Sequence, residues 1–345
     1  MHIERNDLRI VLFEHLDEFL AIVEQRDDSS TNFGVGALLE CRVCEDGKWE
    51  WDSREKVLIG VFKGTELLLA LTKVAQDFSW ILSDARREKV SWTDKEIASV
   101  SDYLASSIPT TIDSRRVDKV FGPEKLVDSF TKALESNRRE QGEQVEAKDF
   151  FRGVVLSATA VTLPPPSPTY SQHRVSLVTN DIEVEEVVPL YIEFTRGGPE
   201  TATREQARER MREAHRWKGL WRCYINGEIA GFIVVGRFTP RTASIKNVFV
   251  HPDHRRQGVG ETMVRAVTRY YLGVQPLGFL GAPEEGPEGG ARQEVCLNVI
   301  EEGAQRLYGR CEKQAIVSAT RQGQPQDDHN HVKPSNTTIS PGAGT

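Results

Sequence analysis

The sequence has 345 residues with 39% hydrophobic and 28% charged side chains, which is ordinary for a globular protein and long enough for two domains of ~100–200 residues each. Its formal net charge of −7 argues against a nucleic-acid-binding surface, and no apolar run approaches the ~20 residues of a membrane span. With no signal-peptide core and an odd number of cysteines, five, we expect a soluble, intracellular (cytoplasmic) protein that binds neither nucleic acid nor membrane.

The first 150 residues predict an N-terminal α+β domain. Apolar spacing predicts short helices over 16–23 and 36–43, and a capped helix that begins near Ser91 and ends at Leu104. The runs KVLIGVF and ELLLALTKV predict two strands joined by a tight turn at Lys63-Gly64. Further strands are predicted over 78–82 and from residue 117, with a helix from Pro123 to about Arg138.

A proline run marks the expected boundary between the domains. Residues 150–163 are apolar and β-branched, which predicts a strand, and the prolines of 164–168 (PPPSP) then exclude both helix and central strand. We therefore expect domain 1–150, a strand and proline-rich linker over 151–173, domain 174–319 and a disordered tail over 320–345. A long surface loop explains the proline run almost as well.

The second half predicts a strand at RVSLVTN, helices over 183–194 and 203–217, and a hairpin with an Asn226-Gly227 turn. The strand SIKNVFV follows and ends at His251-Pro252. A helix is predicted over 258–272, an irregular loop over 276–290, a strand at EVCLNVI and a helix over 302–310.

The turn between SIKNVFV and the next helix is the segment most indicative of chemistry. It contains Arg255, Arg256, Gly258 and Gly260 in the pattern RRQGVG, directly before the helix. Such a turn presents backbone N–H groups and the positive end of a helix dipole, which together bind phosphate. On the residues alone, a glycine-containing turn with surface arginines is the alternative.

This segment resembles motif A of the GNAT acetyltransferase superfamily, in which a strand and V-x-P precede [QR]-x-x-G-x-[GA] at the start of a helix. Here those positions are Val250, Pro252, Arg255, Gly258 and Gly260. The hairpin before it, EVCLNVI and the helix AQRLYGR after it continue the resemblance over about 135 residues. The resemblance implies a mixed α/β GNAT fold, acetyl-CoA as cosubstrate and no metal.

The resemblance also implies where acetyl-CoA binds. The pantetheine arm would lie in a gap between two splayed parallel strands, and a backbone N–H there would stabilise the oxyanion that develops on the thioester. The pyrophosphate would lie on the turn. The implied cofactor-binding residues are Val248, Phe249, Val250, Arg255, Arg256, Gln257, Gly258, Val259, Gly260, Glu261 and Asn298.

The catalytic residue implied by the resemblance is Tyr308, which would protonate the departing thiolate. A half-buried tyrosine that packs on the sheet is the alternative, as a plain strand residue is for Asn298. Many relatives place a carboxylate on the strand before the turn as general base, whereas this strand has Lys246 and Asn247, so Glu193 or His251 could assist.

Other departures from the family concern the C-terminus. Glu301 stands where relatives usually have asparagine, and after Cys311 at most one short strand is expected, over 315–319. The N-terminal half lacks the phosphate turn but repeats the order of elements, which favours a degenerate GNAT-like domain over an unrelated α+β domain.

The leading functional hypothesis is an N-acetyltransferase that moves the acetyl group of acetyl-CoA to a primary amine by direct attack. A non-catalytic acyl-CoA-binding or scaffold protein is the alternative, because the base, the asparagine and the usual C-terminus are missing. A protein lysine, a protein N-terminus, a polyamine and an amino-sugar-like metabolite all remain open as acceptors, as does the oligomeric state.

Overall fold

The computed structural model describes residues 7–44, 56–75, 78–87, 91–143, 145–165, 173–198, 200–299 and 314–325. The elements in chain order are β1 (Leu8–Leu12), α1 (Leu16–Val23), α2 (Ser29–Cys44), β2 (Val57–Lys63), β3 (Glu66–Lys73), β4 (Trp80–Asp84), α3 (Asp94–Thr111), β5 (Lys119–Pro123), α4 (Glu124–Glu140), β6 (Val145–Ala158), β7 (Arg174–Leu177), α5 (Asp181–Thr195), α6 (Arg204–Arg216), β8 (Leu220–Ile225), β9 (Glu228–Gly236), β10 (Thr242–Val250), α7 (Val259–Tyr271), β11 (Glu294–Val299) and β12 (Gln314–Pro325).

The chain divides into two compact units. The division falls between Val155 and Leu156, inside β6 and upstream of the proline run where the sequence suggests a boundary. The N-terminal unit also takes in β12 from Ile316 onward, because β12 pairs antiparallel with β5. This pairing places a strand over 320–325, a segment for which the sequence predicts disorder.

The two units have the same topology. In the N-terminal unit, β1 to β4 pair antiparallel in sequence order, and β5 joins β4 in parallel. In the C-terminal unit, β7 to β10 pair antiparallel in sequence order, and β11 joins β10 in parallel. Two helices follow the first strand of each unit, and one helix precedes its parallel strand. The repeat of element order that the sequence suggests is therefore confirmed.

Alternation along β2 gives the sheet of the N-terminal unit two apolar faces. Val57, Ile59 and Val61 pack with the core formed by α3 and α4, while Leu58 and Phe62 belong to the core formed by α1 and α2. A sheet covered on both faces excludes water from its strands, in keeping with the nearly continuous burial of β2 and β3.

The sheet of the C-terminal unit is covered in the same way. Helices α5 and α6 pack on the face that carries Phe232 and Val234. On the other face, the ring of Trp221 lies 4.9 Å from that of Tyr270 on α7. Helix α7 is therefore a core helix whose N-terminus reaches the end of β10.

Several sequence predictions need correction. Helix α2 is twice as long as predicted (16 residues), β6 begins at Val145, five residues before the strand predicted from residue 150, and β1 was not predicted. Helix α3 is capped by Thr93 rather than Ser91. The Asn226-Gly227 turn is confirmed, with positive φ at both residues (51° and 87°) as a two-residue hairpin requires.

No helix in the described part of the chain is long and apolar enough to cross a bilayer.

Candidate functional site

The described pairing of β10 with β11 covers only the first part of β10, on the side where the sequence predicts a gap. The parallel register runs from Thr242 opposite Glu294 to Ile245 opposite Leu297, and no later pair is recorded among the described residues. Beyond this point β10 continues for five residues, to Val250. Among the described residues, no strand pairs with this end of β10 on the side of β11.

Two residues of β10 point their peptide groups toward this side. The N–H of His251 donates to the carbonyl of Ala230 on β9 at 2.9 Å, so residues of this parity face β9. Because peptide groups alternate along a strand, those of Val248 and Val250 face away from β9, toward the gap. The peptide of Phe249 faces β9 instead, and its buried ring packs 5.8 Å from Phe232 and 6.0 Å from Phe194.

A bulge helps to set this arrangement. Between Ile245 and Asn247 the register with β9 shifts by one residue, which leaves Lys246 as the extra residue. The ammonium group of Lys246 lies 5.1 Å from the ring centre of Trp217, so its charge is directed away from the gap toward an aromatic face.

The turn after β10 has the conformation of an anion-binding site. Arg256 and Gly258 both adopt positive φ, 63° and 79°, and Gly258 is the N-cap of α7 with no side-chain cap. The first helical hydrogen bond comes from Thr262, whose N–H donates to Gly258 at 2.9 Å. The N–H groups of Val259 and Gly260 precede it, and neither has a partner among the described residues. The positive end of the α7 dipole is therefore open.

The polar and charged side chains at the turn are compatible with a bound anion. Arg255 donates from Nε to the carbonyl of Val250 at 3.3 Å, and Gln257 donates to the carbonyl of Asp253 at 3.2 Å. Arg256 is exposed and has no hydrogen bond or ion pair within the described part of the chain. The carboxylate of Glu261 is paired with Arg265 at 2.9 Å. This pairing reduces its competition for the helix N-terminus.

A buried histidine lies beneath the turn. His173 is 4% exposed, and its Nδ1 lies 3.0 Å from the hydroxyl of Thr262 in the first turn of α7. A Cβ atom on Gly258 would be 3.8 Å from the His173 ring, so the ring and the cap are neighbours.

The sequence model of the Acetyltransferase (GNAT) family matches residues 184–280, which include β10, the turn and α7. The chain contains a GNAT acetyltransferase domain. A search of curated proteins found no significant match.

Several solved structures are similar over nearly the whole chain. A protein from Drosophila is 11% identical with a TM-score of 0.53, over 92% of this chain and 98% of its own. A tandem GNAT protein from the clavulanic acid biosynthesis pathway is 15% identical with a TM-score of 0.45, over 93% of this chain and 100% of its own. A GCN5-related N-acetyltransferase from Sphaerobacter thermophilus is 14% identical with a TM-score of 0.48, over 97% of both chains. At these identities, the likeness concerns the fold alone.

The GNAT domain belongs to the C-terminal unit, and the N-terminal unit is GNAT-like by its identical order of strands and helices. The fold class predicted from the sequence is thus confirmed.

The remaining predicted site residues of the GNAT domain lie as follows. Asn298 is exposed on β11, one residue beyond the last pair with β10. Tyr308 and Glu301 lie outside the described residues. Of the two candidate bases, Glu193 is paired with Arg196, and His251 accepts the N–H of Asp253 at 3.4 Å. No cluster of three or more potential metal ligands occurs in the part of the chain that the structure describes.

A concavity of the described surface lies elsewhere in the GNAT domain. Its volume is about 420 Å³, and it is lined by residues of β7 and β8 and by Leu280. Its two arginines are Arg174 and Arg222, of which Arg222 is already paired with Glu183 and Glu186. Since β7 and β8 are separated from the β10–β11 gap by β9, we do not assign this concavity to the cofactor.

In the N-terminal, GNAT-like unit, the helix that corresponds to α7 has its N-terminus capped by side chains. The corresponding helix, α3, has a capping box in which Thr93 accepts the N–H of Glu96 at 3.2 Å and the Glu96 carboxylate accepts the N–H of Thr93 at 2.9 Å. A carboxylate of the protein itself therefore occupies the positive end of this helix.

The strands on either side of α3 in the sequence, β4 and β5, lie close together as well. A Cβ on Gly122 of β5 would lie 2.2 Å from the carbonyl oxygen of Leu82 on β4, so the two parallel strands are in contact at this position. Arg86, which follows β4, forms two hydrogen bonds to Asp84, at 3.0 and 2.8 Å, and its guanidinium stacks 3.7 Å from Trp92. In the described part of this unit, the strands are thus in contact and the helix end holds a carboxylate of the chain itself.

The capping box yields a test of this closure. Replacing Thr93 with Ala should lower the free energy of unfolding by about 1 kcal/mol and leave acetyl-CoA binding unchanged. Thr110→Ala is the control, because this exposed hydroxyl near the other end of α3 bonds only the carbonyl of Ser107 and should have little effect. Urea denaturation measures both variants, and a change in cofactor affinity with Thr93→Ala would contradict a purely structural cap.

The contribution of this cap to stability depends on pH, in a direction that follows from the pKa of Glu96. Hydrogen bonds from the backbone N–H and hydroxyl of Thr93 hold the pKa of Glu96 below its usual value. Its contribution to stability is therefore full above the unfolded-state pKa of about 4.3 and disappears as the pH falls through the lower folded-state pKa. The difference in stability between wild type and Glu96→Gln should shrink over that range. A difference that stays constant from neutral pH to pH ~3 would contradict the assignment.

Sequence reasoning did not identify His173, Thr262 or the Thr93–Glu96 box. The capping box could have been predicted from the sequence, since the pattern T-x-x-E occurs at the start of an apolar helix. His173 and Thr262 are 89 residues apart, and no local pattern indicates that they meet.

Proposed function

We propose that this protein is an acetyl-CoA-dependent N-acetyltransferase whose C-terminal GNAT domain transfers an acetyl group to a primary amine. The proposal rests above all on the open cap of α7 next to the β10–β11 gap. These two features suit the two ends of one ligand, since the helix end fits a pyrophosphate and the gap fits an extended thioester arm. Membership of the GNAT acetyltransferase family supports the choice of acetyl-CoA.

The pyrophosphate would accept hydrogen bonds from the N–H groups of Gly258, Val259 and Gly260, and Arg256 would add charge. The pantetheine arm would lie along the peptide groups of Val248 and Val250. Asn298, at the start of the gap, is suitably placed to bond an amide of that arm. These assignments carry forward most of the cofactor residues predicted from the sequence.

In the proposed reaction the amine nitrogen attacks the thioester carbonyl carbon. The C–N bond forms, the C–S bond breaks, the nitrogen loses a proton and the departing thiolate gains one. The backbone N–H of Val250 would stabilise negative charge on the carbonyl oxygen, and Tyr308 would give the proton to the sulfur. Positioning of the two reactants contributes further to the rate.

A non-catalytic acyl-CoA-binding protein is the second candidate. The observation in its favour is the composition of β10, which carries Lys246 and Asn247 and no carboxylate. Direct attack does not require a carboxylate when the amine is already deprotonated in part, or when water or His251 accepts the proton.

Turnover with a panel of amines distinguishes the two candidates. The purified protein is incubated with acetyl-CoA and, separately, a lysine peptide, a peptide with a free N-terminus, a polyamine and an amino sugar. We expect release of free CoA thiol with at least one class of amine, and a matching acetylated product by mass spectrometry. Tight cofactor binding without turnover on any amine would favour the non-catalytic candidate.

A further inference from the structure

His173 is the last residue before β7 and is buried almost completely, at 4% exposure. Its one described hydrogen bond joins Nδ1 to the hydroxyl of Thr262 at 3.0 Å. Thr262 is itself 2% exposed and is the fourth residue of α7. A buried polar pair of this kind stabilises one arrangement only while both partners are present, since either group alone would be left unsatisfied.

The imidazole also lies close to the cap residue, Gly258. The position that a Cβ would take on Gly258 is 3.8 Å from the Cε1 atom of His173, an ordinary van der Waals distance. Gly258 is the residue at which the chain enters α7 with φ 79°. The ring therefore lies beside the N-cap of α7, and its described bond to the first helical turn is the one to Thr262.

The segment that ends at His173 is fastened to α7 at a second point. The buried guanidinium of Arg269 donates to the carbonyl of Pro164 at 3.2 Å and to the carbonyl of Pro276 at 3.1 and 2.7 Å. Arg269 follows Thr262 by seven residues, or about two helical turns, so both lie on the same side of the helix. The chain on either side of 166–172 is thus attached to the side of α7 that also supports the cofactor turn.

Burial favours the uncharged form of the His173 ring. Desolvation lowers the pKa of His173 below its usual value, so the imidazole is neutral near pH 7. A neutral ring adds no charge of its own to the turn, which makes its contribution to an anion site one of geometry.

We propose that His173 is a positioning residue of the cofactor turn, acting through Thr262 to hold the backbone N–H groups at the start of α7 in the geometry that receives a pyrophosphate. This inference rests on the proposed function. It adds a residue outside the phosphate motif, in the segment that follows the proline run, to the cofactor site.

The test compares two ligands that differ in the pyrophosphate. Acetyl-CoA has it, and S-acetylpantetheine, which would occupy the β10–β11 gap alone, does not. Dissociation constants for both are measured by calorimetry and NMR titration for wild type, His173→Phe, Thr262→Val and the double variant. His215→Phe is the matched control, because His215 also bonds through Nδ1, to the carbonyl of Val178 at 3.2 Å, but on α6.

We expect His173→Phe and Thr262→Val each to weaken acetyl-CoA binding about tenfold, from the loss of one buried hydrogen bond. Binding of S-acetylpantetheine should be unchanged, and the double variant should be little worse than either single one. His215→Phe should bind both ligands like wild type. An equal loss for both ligands would reduce His173 to a fold-stabilising role and overturn the inference, as would unchanged acetyl-CoA affinity in a folded His173→Phe. Failure of wild type to bind acetyl-CoA would instead refute the proposed function, and this inference with it.

Discussion

Replacing Gly258 with Asp and Arg256 with Glu is expected to weaken acetyl-CoA binding by at least about a hundredfold, which corresponds to about 2.7 kcal/mol or more. An aspartate at the N-cap would place its carboxylate near the N–H groups that have no described partner in the wild type. Glutamate at position 256 would put a negative charge in place of the positive charge of Arg256, which has no described partner. Both changes repel a pyrophosphate while allowing α7 to form.

The control for this variant is Gly227→Asp. Gly227 has a similar φ, 87°, and nothing lies within 4 Å of the Cβ that it would gain, so the two substitutions impose similar backbone strain. Gly227 lies in the β8–β9 hairpin, away from the turn, so Gly227→Asp should retain wild-type affinity. Retained binding in the Arg256→Glu, Gly258→Asp variant, with a normal melting temperature, would mean that the phosphates lie elsewhere.

The second prediction with a large expected effect concerns the turnover number, kcat. Tyr308→Phe is expected to lower kcat by ~10²–10⁴-fold on whichever amine proves to be a substrate, because the thiolate would depart without its proton donor. The KM for acetyl-CoA should change little, since the hydroxyl acts on the sulfur only as the C–S bond breaks. Initial rates of thiol release, with acetyl-CoA affinity measured separately, test both parts.

Tyr224→Phe is the matched control for the tyrosine. The hydroxyl of Tyr224, on β8, donates to Glu186 of α5, and loss of this hydroxyl should not alter kcat. An unchanged rate in Tyr308→Phe would remove the tyrosine from the mechanism and indicate protonation by water. A loss of acetyl-CoA affinity as large as the loss of kcat would point to a binding role for Tyr308.

The comparison of the two units gives a physical account of why one retains the features of a cofactor site. Both contain a parallel pair of strands with a helix between them in sequence. In the N-terminal unit the helix end is capped by Glu96 and the strands stay together at Gly122. In the C-terminal unit the helix is capped by Gly258 without a side chain, and the last pair of β10 with β11 among the described residues is that of Ile245. The difference therefore depends on a few positions within a shared topology.

Much of the site could be predicted from the sequence because its determinants are local. The strand SIKNVFV, the turn RRQGVG and the apolar spacing of α7 are contiguous, so the end of β10 and the cap of α7 were placed nearly correctly. The hairpin turn at Asn226-Gly227 is equally local, since its φ values follow from residue type.

The features that were missed depend on pairing between distant segments. Strand β12 was predicted only over 315–319. Its continuation over 320–325 has the polar composition of a tail (TRQGQP), and the strand pairs with β5, nearly 200 residues earlier. Strand β1 carries charged residues in a short run, and only its register with β2 defines it as a strand. The contact of His173 with Thr262 likewise arises from tertiary packing, which periodicity does not encode.

The most direct measurement is a calorimetric titration of the wild-type protein with acetyl-CoA. We expect micromolar binding of one molecule per chain, because α7 has an open cap and α3 is closed by its own carboxylate. The absence of binding by the folded protein would contradict an acetyl-CoA site at the α7 turn, and two molecules per chain would contradict the closure of the N-terminal unit.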